Sequence, residues 1–217
     1  MPEDESILYR PFGPSIFKVT IPEKMVQELN TYVDKIIKDE EKLKELDNGP
    51  RLAGQVTQEF KLEKEFMKKI GWGDFLAQSA KQWIELHARK KISKFNMLSS
   101  WIVRQFKNEY NPTHWHGGHI SGAGFLKVPK DLGKPVQETK KNNERGKLQL
   151  IHGSRMFLSS SCFNVTPKVG DFYLFPHYLM HQVFPFSGTD EERRSISFNA
   201  EIDESIFNVY GKSEQLL

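Results

Sequence analysis

Hydrophobic and polar positions follow two different periods in the two halves of the chain. From Pro22 to about Leu46 the apolar residues Met25, Val26, Leu29, Tyr32, Val33, Ile36 and Ile37 recur at three and four, which predicts an amphipathic helix. Pro22 suits its first turn and Thr20 is a cap candidate. Asn48-Gly49-Pro50 ends that helix, and a short extended piece follows. Two more helical stretches are predicted, one carrying Phe66, Met67 and Ile70, the other Phe75, Leu76, Ala80, Trp83, Ile84 and Ala88. These stripes are expected to pack on a sheet. After Lys91 the pattern shifts to short runs rich in β-branched and aromatic residues, such as SSWIVRQF, SGAGFLKV, KLQLIHG, RMFLSSSCFNV, GDFYLFP, MHQVFPF and RRSISFNAEI, punctuated by Gly, Pro and Asn. Short strands at such spacing predict a sandwich or barrel. The polar segment between Val128 and Lys147 reads as a long surface loop.

A chain of 217 residues suits one unit with a helical extension, and no internal repeat argues otherwise. We expect a single domain over 1–217: a helical support region at 1–95, a β core at 96–205 and a C-terminal tail at 206–217. Charges are nearly balanced at a formal +3, and the lysine-rich stretches are scattered, so no nucleic-acid partner is expected. Cys162 is the single cysteine, which excludes an intramolecular disulfide and fits a reducing compartment. Its setting predicts a small buried side chain in a strand. The acidic first residues show neither a signal peptide nor a membrane span, so a cytoplasmic protein without a membrane partner is expected.

The chemistry centres on histidine. His114 and His116 lie one residue apart in NPTHWHGGHISGAGFL, and His181 follows far downstream in GDFYLFPHYLMHQVFPF. Residues i and i+2 of a strand share a face, so the first two imidazoles could hold one ion while the third closes the site from a distant strand. Taken singly, each could as well be a packing or surface residue; taken together they point to metal. Trp115, between them, must point away and is expected to pack. Gly122 and Gly124 suggest a strand that another group approaches closely.

HWHGGHISGAGFL, GKLQLIHGSR and PKVGDFYLFPHYLMHQVFPFSGTDEERRSISFN together resemble the iron(II)- and 2-oxoglutarate-dependent oxygenases, over roughly Ser100 to Glu201. The branch they are closest to is the bacterial and phage one, prolyl-hydroxylase-like. The resemblance implies a mainly β, α+β fold in which a double-stranded β-helix (a jelly-roll, cupin-like barrel) packs on N-terminal helices. It implies His114, His116 and His181 as iron(II) ligands, with His116 in the place of the usual carboxylate. It also implies 2-oxoglutarate as co-substrate, gripped by Arg193 and Ser195, and O2 as oxidant. A guanidinium fork suits a carboxylate, and a hydroxyl two residues on shares its face. Arg194 should point the other way, to solvent. An ion pair of Arg193 with Asp171 or Glu201 is the alternative.

The implied activity is a dioxygenase (hydroxylase) that releases succinate and CO2. Three imidazoles without a carboxylate depart from the two-His-one-carboxylate pattern, which leaves His119 as a candidate extra ligand. They also leave open a cupin-like metal protein that does not use 2-oxoglutarate; the Arg193/Ser195 pair speaks against it. His177 reads as a surface residue, and His87 and His152 receive no role. The substrate could be a prolyl or other peptidyl group or a small molecule. The lysine-rich loop from Lys130 to Lys147 tilts the choice toward a peptide or an acidic partner. The aromatic-rich helices could bury a homodimer face as readily as a sheet.

Overall fold

The structure, a computed structural model, describes residues 13–209, so the acidic start and the end of the 206–217 tail lie outside the described residues. Strand β1 (Phe17–Thr20) comes first, so Thr20 ends a strand rather than capping a helix. Helix α1 (Glu23–Ile36) follows Pro22 with no side-chain cap, and Val26, Leu29, Val33 and Ile36 form its buried stripe. The segment predicted as one helix to Leu46 is two. Asp39 accepts the Lys42 N–H at 3.0 Å and so caps a new helix, α2 (Glu40–Leu46). An aspartate carboxylate competes for backbone donors, which favours a restart over continuation. The extended piece then becomes β2 (Gln58–Lys61). Helix α3 (Lys64–Ile70) stops at Gly71, whose φ of +72° few other residues adopt, and α4 (Trp72–Ala88) starts there.

The second half supplies β3 (Phe95–Gln105), β4 (Asn111–His114), β5 (Ile120–Lys127), β6 (Leu148–Ile151), β7 (Cys162–Val165), β8 (Asp171–Pro176), β9 (Met180–Val183) and β10 (Arg193–Ile202), then a short α5 (Glu204–Phe207). They build two antiparallel sheets, ordered β1-β8-β5-β10-β3-β2 and β4-β9-β6-β7. Both edges of the larger sheet, β1 and β2, come from the helical half. The sheets face each other across a core of Phe125, Leu148, Leu150, Val165, Tyr173, Phe175, Leu179 and Val183. This is the expected mainly β, double-stranded β-helix barrel with helices on one side. RMFLSSSCFNV is a strand only from Cys162; Met156, Phe157 and Leu158 sit exposed in a turn, and Cys162, on a sheet-edge strand, is exposed rather than buried.

Alternation along β10 assigns its two faces. Ile196, Phe198 and Ala200 join Ile102, Phe172 and Leu174 under the stripes of α1 and α4. Burial of one such aromatic contributes roughly 1.5–3 kcal/mol. Gly122 and Gly124 lie beneath this aromatic layer: a Cβ at Gly122 would fall 2.6 Å from Phe198 Cε1 and 2.7 Å from Phe172 Cε1. The expected close approach is therefore that of two phenyl rings, 5.9 Å apart. Trp72, fully buried, donates its indole N–H to Ser100 Oγ at 3.0 Å and ties α4 to β3. Arg193, Ser195, Ser197 and Asn199, the alternate residues of β10, face the barrel interior.

Candidate active site

His114 ends β4 and stands directly opposite His181 of β9 in the sheet register. His116 lies just past the strand, held by its backbone N–H to His177 O at 3.0 Å. Ring centroids are 4.3 Å apart for His114 and His181, 4.7 Å for His116 and His181, and 5.2 Å for His114 and His116. One ring nitrogen from each lies within 4.8 Å of the other two. The three histidines singled out in the sequence thus meet.

Hydrogen bonds fix the rings' tautomers. His114 Nδ1 faces Pro112 O at 2.7 Å, His181 Nδ1 faces Leu179 O at 2.9 Å, and His116 Nδ1 faces Asn199 Oδ1 at 2.8 Å. Carbonyl oxygens only accept, so each Nδ1 carries the proton and each Nε2 presents a lone pair. Asn199 Oδ1 also accepts from Ser121 Oγ at 2.8 Å, which orients the amide. Burial pushes the imidazole of His116 down to about 4 and that of His181 to about 3, with His114 adding to both shifts; burial lowers His114 as well. Three neutral nitrogen donors converging on one point fit a divalent transition metal, iron(II) included.

Arg193 is buried on the interior face of β10. Its Nη1 donates to Gln105 Oε1 at 3.1 Å and to Ser195 Oγ at 3.3 Å, and its Cζ lies 5.1 Å from the Phe125 ring centre. Nε has no hydrogen-bond partner, and no carboxylate pairs with the guanidinium, among the described residues. Asp171 is taken by Lys18 at 2.7 Å and Glu201 by Asn96, so the alternative ion pair is not formed. Burial pulls Arg193 down to about 10. Arg193, Ser195 and the three histidines line one cavity together with Trp101, Val103 and Phe125.

Other residues stand where the sequence did not lead. Arg194 is not in solvent: it is 1% exposed, bonded to Glu192, Asp34 and Asn30. The helices cover the outer face of β10, so both faces of the strand are buried. Trp115, expected to pack, is instead 66% exposed. His119 is outside the metal cluster: its Nδ1 accepts the Ile202 N–H at 3.1 Å and its ring stacks on Phe207 at 3.7 Å. His177 Nδ1 lies 3.1 Å from His116 O. Reading the sequence missed Gln105, Asn199 and Glu59, a 5% exposed carboxyl on β2 that lines the same cavity. Alternation from Arg193 points at Asn199; nothing local points at Glu59.

Residues 99–199 match the family model described as "Putative 2OG-Fe(II) oxygenase". No curated protein sequence matches the chain. Among solved structures, a Pseudomonas putida prolyl-4-hydroxylase shares 14% identity with a TM-score of 0.56, over 86% of this chain and 92% of that one. AviO1 from Streptomyces viridochromogenes shares 13% identity with a TM-score of 0.56, over 88% and 90%. HygX from Streptomyces hygroscopicus, solved with nickel, 2-oxoglutarate and hygromycin B, shares 12% identity with a TM-score of 0.53, over 85% and 82%. The resemblance read from the sequence therefore holds in the family model across the barrel and in the fold across most of the chain.

Proposed function

We propose that this chain, whose residues 99–199 match the model of a 2OG-Fe(II) oxygenase family, is a dioxygenase that hydroxylates its substrate at a C–H bond, with release of succinate and CO2. His114, His116 and His181 hold iron(II) through Nε2, with Asn199, Pro112 O and Leu179 O orienting the rings. Arg193 and Ser195 receive the distal carboxylate of 2-oxoglutarate. The observation that carries this reading is the Arg193 guanidinium, buried in the histidine cavity with Nε unpaired and in no ion pair with a carboxylate among the described residues. An uncompensated buried charge costs several kcal/mol, so a carboxylate ligand is what it lacks.

When bound, iron(II) and 2-oxoglutarate supply activation of O2. The chain's own residues orient and shield. Burial keeps the imidazoles neutral, so protons do not compete with metal near pH 7. Trp101, Val103 and Phe125 give the cavity apolar walls that limit water around the reacting groups. Gln105, anchored by donating to Glu109 O at 2.6 Å, holds Arg193 in place. The same reading takes the chain as one unit, the helices being packed on the barrel sheet. Cytoplasmic action fits the single cysteine, and no helix among the described residues is long and apolar enough to cross a membrane. A peptidyl group, prolyl included, or a small molecule is the substrate.

Anaerobic addition of iron(II) and then 2-oxoglutarate tests this reading. A visible charge-transfer band is expected, and it disappears in Arg193→Met. The all-imidazole ligand set favours one second reading, a cupin-like metal dioxygenase that does not use 2-oxoglutarate; iron binding without a band would establish that one instead.

A further inference from the structure

Glu59 has no place in the chemistry above, yet it lies in the same cavity. It belongs to β2, where it pairs with Val103 of β3, and Val103 pairs in turn with Ser195 of β10. One row of the sheet therefore runs Ser195, Val103, Glu59 along the interior face. The side chain is 5% exposed and accepts no hydrogen bond among the described residues. Arg193, of opposite sign, lines the same cavity, and no ion pair joins the two. A pair serving only stability would close that gap.

Glu59 also lines a second space. An open groove of about 440 Å³ runs past Leu43, Asp47, Val56, Thr57 and Glu59, and Gly54 and Glu59 border both the groove and the histidine cavity. Gly54 stands where the two spaces adjoin, and it leaves no room for a side chain. A Cβ there would lie 2.7 Å from Glu59 Oε1 and closer still to Asn111 Oδ1, an acceptor without a partner. Two acceptor oxygens thus face one point at the junction. Burial, and secondarily the negative charge of Asp47, push Glu59 up to about 7. A cation in the groove opposes both effects by favouring the ionised carboxylate.

We propose that Glu59 is a specificity residue: it receives a cationic nitrogen, ammonium or guanidinium, of the prime substrate arriving through the groove between α2 and β2, and so aims the neighbouring carbon at the histidine cluster. The proposal rests on the oxygenase reading for what then happens to the substrate, but not for the binding itself. The lysines of the 130–147 loop do not line this groove; Lys44 does, and its charge is set against the carboxyls of Asp47 and Glu59 in the same lining.

The test uses the full-length protein and two probes of matched shape, n-butylguanidinium and neutral n-butylurea, titrated by ligand-observed NMR. We expect at least tenfold tighter binding of the guanidinium, a ratio that collapses toward one in Glu59→Gln and falls only two- to threefold in Asp47→Asn. Equal binding of the two probes, no binding of either, or an unchanged ratio in Glu59→Gln overturns the proposal. The absorption band with iron(II) and 2-oxoglutarate is recorded on the same samples. Its retention in Glu59→Gln shows an intact site, and its absence from the parent protein refutes the oxygenase reading while leaving the probe ratio to decide the groove.

Discussion

Arg193 and Arg194 are neighbours on one strand, each 1% exposed, and they live under opposite rules. Arg194 points to the helix side, where Glu192 meets it at 2.8 Å and Asp34 at 2.7 Å, and where Asn30 takes a further hydrogen bond. Arg193 points into the barrel, where it has a glutamine, a hydroxyl and a phenyl ring but no counter-charge. The outer face is finished: among the described residues no buried side-chain donor or acceptor on it lacks a partner, and the aromatic layer is packed under the helices. The inner face is unfinished, with neutral imidazoles presenting lone pairs, an unpaired guanidinium and an unpaired carboxyl. A fold that leaves buried polar groups open on one face only, at a cost in stability, marks that face as the one kept for ligands.

The comparison breaks most sharply at the arginines themselves. Arg193→Met is expected to weaken 2-oxoglutarate binding about 100- to 1,000-fold, read from the charge-transfer titration, while stability in urea is unchanged or rises by about 1–3 kcal/mol, because an uncompensated buried charge has been removed. Arg194→Met should do the reverse. It leaves Glu192 with Arg104 alone at close range and Asp34 unmatched, so a loss of about 3 kcal/mol of stability is expected, with the band retained in the folded fraction. Equal effects of the two substitutions would show that the faces are not divided as described. Asn199→Ala removes the acceptor that fixes the His116 tautomer and should lower iron(II) affinity about 10- to 100-fold, measured by competition with a chelator.

The smallest expected effect sharpens the contrast through pH. Glu59 is raised from its ordinary value to about 7, so the folded state holds a proton there that the unfolded chain has released. Stability from this group is therefore undiminished below about pH 4.5 and falls as pH rises toward 7. Glu59→Gln should be more stable than the parent by about 1–2 kcal/mol at pH 8, and equal to it near pH 4, in urea titrations. The imidazoles slope the other way. Their lowered values mean that the unfolded chain takes up protons first, so stability is present above about pH 6.5 and drains away as pH falls toward 4. His116→Gln should flatten that loss.

Most of the inner face was legible because a strand announces its own faces: once Arg193 and Ser195 are on one side, alternation carries the reader to Ser197 and Asn199. The three histidines were legible by residue type. Arg194 was misread because alternation says where a side chain points, not what covers it; only the packing of α1 on β10 turns the outward direction into a buried one. The single helix to Leu46 failed on one capping aspartate. Glu59 had no local signal at all, since its neighbourhood is made by the pairing of β2 with β3, some 40 residues on.

That pairing divides authorship of the cavity. Residues 99–199 supply the histidines, Arg193 and Ser195, whereas Gly54 and Glu59, which border both that cavity and the groove beside it, come from β2 and the loop before it, outside that stretch. Reaction chemistry and choice of guest are thus written in separate paragraphs of the chain. Transplanting the segment from Asp47 to Lys61 onto a related barrel should change what is admitted without rewriting what is done to it.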